Sequence, residues 1–93
     1  MEQIPQIEYT AQVWEEGDQF VAHAMPLDVM SCGDTPDEAR AALEEAVRLF
    51  LVTAAEAGTM NEVLEEAGYM HEGEAWLSPT WVGVEKCSIA ARG

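Results

Sequence analysis

The chain has 93 residues, and 18 Asp and Glu against 4 Lys and Arg give it a formal net charge of −14. That balance excludes most nucleic-acid binders, which need clustered cations to release counterions, and opposes docking on an anionic membrane. It does not imply disorder, because 48% hydrophobic residues and three Trp can build the core of one small domain.

Met1 to Pro5 holds neither a basic region nor an apolar stretch, so no secretion signal is read there and a cytoplasmic location is expected. Ile7, Tyr9, Ala11 and Val13 alternate with Glu8, Thr10, Gln12 and Trp14, the period of a half-buried strand. Glu15-Glu16-Gly17-Asp18 reads as a polar turn, and Phe20 to Met25 as the returning strand of an antiparallel hairpin. Pro26 then bends the chain, since proline cannot donate to a ladder. Asp28 to Cys32 is expected to be a third strand, ended by Gly33-Asp34.

Thr35-Pro36-Asp37-Glu38 predicts a helix start. The Thr35 hydroxyl can cap the Glu38 amide, and the Glu38 carboxylate can reach back to the Thr35 amide. Pro36 suits the first helical position, and Asp37 and Glu38 favour the positive end of the dipole. Ala39, Leu43, Ala46 (or Val47), Phe50 and Ala54 recur at helical spacing, and Gly58 is placed to stop the helix. The most apolar stretch, Ala46 to Ala55, is broken by Arg48 and is shorter than the roughly 20 residues that cross a bilayer. Thr59-Met60-Asn61-Glu62 repeats the capping spacing and predicts a short second helix over about 60–67, stopped by Gly68. Tyr69 to Glu74 reads as a polar connection, and 81–89 (Trp81 to Ile89) as a final strand. The order β-β-β-α-(α)-β predicts an α+β fold, an antiparallel sheet with helices on one face.

Gly33-Asp34-Thr35-Pro36-Asp37-Glu38-Ala39, followed by Glu45-Ala46 and Phe50-Leu51, resembles the core motif of the HicB-like antitoxin family. Tyr9, the Gly17 turn and Met25-Pro26-Leu27 fit that family's opening hairpin and its proline-containing connection. The resemblance covers about residues 7–58 and makes 1–93 a single HicB-like domain. It implies a trimmed ribonuclease H-like fold, usually without catalysis, that covers the active site of a small basic mRNA-cleaving toxin. Many relatives add a DNA-binding domain. Here the 35 residues after Gly58 hold only Lys86 and Arg92 as cations, so operator binding is not expected.

Glu44, Glu45, Glu56, Glu62, Glu65 and Glu66 fall on exposed helix faces, where they can steer a basic partner or serve only solubility or a high-salt origin. Metal-dependent nuclease chemistry needs converging carboxylates. Asp34 and Glu38 are better explained, with Gly33 and Thr35, as the structural motif that opens the helix. His23, near Cys32 across the sheet, and the isolated His71 supply too few ligands for zinc. Cys32 and Cys87 are expected to be reduced thiols on strands. No catalytic residue, metal or cofactor is expected, and the chain is not read as an enzyme. Trp76, Trp81, Glu72, Glu74 and Glu85 are the candidate partner-binding residues, because Trp supplies large area at interfaces. A homo-oligomer, dimer or tetramer, is expected through the sheet's face or edge, with folding back of the tail tryptophans into the core as the alternative. An orphan domain with a structural or small-ligand role is the alternative function.

Overall fold

The computed structural model describes residues 5–92, so the leader-peptide reading at residues 1–4 lies outside it. The chain runs β1 (Gln6–Ile7), β2 (Thr10–Glu16), β3 (Gln19–Met25), β4 (Val29–Gly33), α1 (Pro36–Glu56), α2 (Met60–Glu66), β5 (Met70–Glu72) and β6 (Ala75–Leu77). This is an α+β fold. Its strands form two sheets rather than the single one expected: an antiparallel β2-β3-β4 and a smaller β1-β6-β5, in which β1 runs parallel to β6.

The hairpin expected from the alternation is present. Glu16 pairs with Gln19 around the two-residue loop Gly17-Asp18. Gly17 has φ +64°, the backbone a hairpin turn needs at its first loop position. The same solution recurs at Gly73, φ +63°, between the paired Glu72 and Ala75. Tyr69 to Glu74, expected as a connection, therefore contains β5 and its turn. The peptide between Met25 and Pro26 is cis, and Asp28 follows at φ 61°.

α1 lies across β4, β3 and β2. Ala39, Leu43, Val47 and Ala54 are buried beneath it, and Leu51 packs against the same core. Ala22 and Ala24 of β3 are fully buried small residues that let the helix approach. Phe50, expected inside, is exposed. A 21-residue helix is roughly 32 Å long, whereas five-residue β4 spans about 17 Å, so the last turns of α1 run past the sheet.

Both helices end alike. The Thr59 N–H bonds the Ala54 carbonyl and the Gly58 N–H that of Ala55, with Gly58 at φ +74°. The Tyr69 and Gly68 N–H groups repeat the pattern on Leu64 and Glu65. These are Schellman caps, satisfying carbonyls the helix leaves free. The second capping box is not formed: the Thr59 hydroxyl donates to Ala54 O, closing α1 instead of opening α2.

One core serves both sheets. Leu43 and Val47 of α1 meet Leu64, Tyr69 and Trp76 as well as Ala22 and Ala24. Beyond Leu77 the chain joins no ladder, so the final strand expected over Trp81–Ile89 does not form. Its residues favour strands, but among the described residues no strand lies beside them.

Candidate functional site

The helix-opening motif is built from backbone geometry. The Thr35 hydroxyl accepts from the Glu38 amide at 3.0 Å. The Glu38 carboxylate accepts at 3.1 Å from the amide of Asp34, one residue before the Thr35 amide expected. Gly33 has a role the sequence did not disclose. A Cβ there would stand 2.7 Å from the Ala39 nitrogen and 2.8 Å from the Glu38 carbonyl carbon. Only a residue without a side chain lets β4 turn this tightly into α1. The Glu38 carboxylate is thus occupied with structure, and Asp37 pairs with Arg40 at 2.7 Å. Among the described residues, no three His, Cys, Asp or Glu side chains gather as metal ligands.

The partner residues separate. Trp76 is 2% exposed in β6, stacked on His71 at 4.2 Å and 5°. It completes the core and cannot be a contact in this state, which corrects its reading as an interface residue. Its burial follows from its register, opposite His71 on one side and Ile7 on the other. Trp81, at 42% exposure, remains at the surface. Glu72, Glu74 and Glu85 are also exposed, the first beside the β5–β6 turn and the last in the tail. Cys32 and Cys87 are free and exposed, but only Cys32 lies on a strand.

Three surfaces stand out. The first is the sheet face opposite α1, where Trp14 packs edge-on to His23 at 6.3 Å. His23 is opposite Met30, with Cys32 two pairs further along on the same face, and its Nε2 lies 2.6 Å from Asp28 Oδ1. The second is an apolar groove where α1 overhangs, lined by Ala46, Leu49, Phe50, Thr53 and Val63. Leu49 is 67% exposed there, and its position off the buried helical stripe was the sequence signal for it. The third is a groove of about 560 Å³ on the other flank of α1, lined by Pro5, Ile7, Tyr9, Arg48, Leu51 and Met60. Burial there, reinforced by the negative charge of Glu44, raises the Tyr9 pKa. Glu44, Glu45, Glu56, Glu62, Glu65 and Glu66 are exposed, as their helical positions require.

Glu8 ties the ends of the fold together, a role without a local signal. Its N–H bonds the Trp76 carbonyl and its carboxylate accepts from the Ser78 amide, both at 3.1 Å. Its carbonyl accepts from the Tyr69 hydroxyl. Burial, with a smaller contribution from the Glu8 charge, pushes the Tyr69 pKa up to about 12. Compared with known proteins, the chain matches no family model, no curated protein and no solved structure.

Proposed function

We propose that this chain is a HicB-like antitoxin-type protein, non-catalytic, homo-oligomeric and cytoplasmic, that binds and neutralises a small basic mRNA-cleaving toxin. The observation that carries the reading is the distribution of charge. Up to Leu77 the chain holds 17 acids and only two bases, Arg40 and Arg48. The acids of α1 and α2 lie at the surface. Such a surface accelerates encounter with a cationic protein and selects against anionic ones. Trp81, Glu72, Glu74 and Glu85 are the contact residues this reading favours, with Trp81 as the aromatic anchor.

The test is reconstitution with the product of a short, adjoining reading frame that encodes a basic protein. Equimolar addition of this chain should abolish that protein's cleavage of mRNA, and the complex should weaken as salt rises. A basic neighbour that cleaves mRNA equally well in its presence rejects the reading. The second reading, an orphan domain that binds a small ligand, rests on the groove between Ile7, Tyr9 and α1. A ligand that raises the melting temperature of the wild type but not of a Leu51→Glu variant would favour it.

A further inference from the structure

The segment after Ser78 is a strand by sequence and not by structure. Trp81-Val82-Gly83-Val84-Glu85-Lys86-Cys87-Ser88-Ile89 is rich in residues that favour strands. Yet Val82 is 98% exposed, Val84 78% and Ile89 91%. The segment projects from the body, for the radius of gyration is 15.6 Å where about 12 Å is usual at this length. Exposed apolar residues in such a row mark an interaction site.

The body offers a matching edge. β4 is an outer strand of its sheet. Its sequence, Val29-Met30-Ser31-Cys32-Gly33, holds no charge and no proline, the devices that protect sheet edges from further pairing. The apolar groove of Ala46, Leu49 and Phe50 lies on the flank of α1 turned away from Ile7 and Tyr9, where the helix runs past the sheet. A strand added beside β4 would turn one row of side chains toward the α1 side of the sheet and the other toward the open sheet face. Charge agrees. From Ser78 onward the chain carries Lys86 and Arg92 against Glu85 alone, while Asp28 and Asp34 bracket β4.

We propose that the tail of one copy, Trp81 to Ile89, adds as a fourth strand to the β4 edge of a second copy, and that the exchange is reciprocal. The occupant is this chain itself, because edge, groove and tail all belong to it and their charges are complementary. A reciprocal exchange closes on a two-fold axis and consumes both exposed segments. The inference rests on the homo-oligomeric part of the reading above, not on the toxin.

The test uses the full chain. Light scattering should give a mass of at least two chains. Val84→Pro, which removes a strand donor where the folded body makes no use of it, should reduce the mass to one chain and leave the helical circular dichroism signal of α1 and α2 unchanged. A mixture of unlabelled and ¹⁵N-labelled chains treated with a bismaleimide should yield Cys32–Cys87 links joining light to heavy peptides. A single-chain mass in the wild type overturns the exchange and the oligomer together. An oligomer that survives Val84→Pro, or one whose links never join light to heavy, overturns the exchange alone. Toxin inhibition is a separate readout and can succeed or fail in either case.

Discussion

Gly33 and Thr35 stand two residues apart and stabilise the same junction by different means. Thr35 supplies a hydrogen bond to an amide that the helix leaves free. Gly33 supplies an absence, the space a Cβ would need against the backbone of Glu38 and Ala39. Thr35→Ala is expected to cost about 1 kcal/mol, the usual loss of a cap. Gly33→Ala should cost roughly 1–3 kcal/mol, since the atoms it meets are mostly backbone and cannot swing aside. Urea denaturation of both variants measures the difference. A Gly33→Ala variant as stable as the wild type would show that the junction relaxes freely. The cap was legible because its parts are three residues apart in sequence. The tightness at Gly33 was not, because it depends on where the following helix turn sits in space.

Among the elements, the short β1, β5 and β6 are held by side chains as much as by ladders. Tyr69, the residue that ends the α2 cap, donates its hydroxyl to Glu8 and so joins the α2 end to the β1 end. Its raised pKa gives this link a pH signature. In the unfolded chain Tyr69 titrates near its ordinary value of 10.0, and in the folded chain near 12. Below pH 10 both states are neutral and its contribution is full. As pH climbs from about 10 to about 12 the unfolded state ionises first, so stability falls. Denaturation across that window should show a steeper loss for the wild type than for Tyr69→Phe. Parallel losses would remove Tyr69 from the account. The larger elements could be read in advance because β2, β3 and α1 are long enough to show a period. Strands of two or three residues show none, and the partner of β1 lies near the other end of the chain. Trp81 to Ile89 is the converse: residues that favour strands predict one there, and it does not form because no strand among the described residues lies beside it. At the proposed contact residues, the exposure of Trp81, Glu72, Glu74 and Glu85 was legible, whereas the burial of Trp76 was not, since it obeys a register that sequence does not display.

For the whole molecule, charge and shape divide along the same line. The folded body is acidic, and the projecting tail carries half of the chain's four cations. No described helix is long and apolar enough to cross a membrane. The two sheets differ in how the chain reaches them. β2, β3 and β4 are joined by tight connections, whereas Gln6 must find Ala75 across about three quarters of the chain. Bringing distant segments together costs entropy before any contact rewards it. The parallel β1–β6 pairing therefore fixes an order of assembly: the three-stranded sheet and α1 form first, and the small sheet closes over them last. On opening, the order reverses. The Glu8 amide, bonded to Trp76, should exchange with deuterium before those of Ala22 and Ala24, and equal protection would make the body a single cooperative unit. By this order, β1 and β6 are released together, so the tail comes free of the body at its root while α1 still covers β2, β3 and β4.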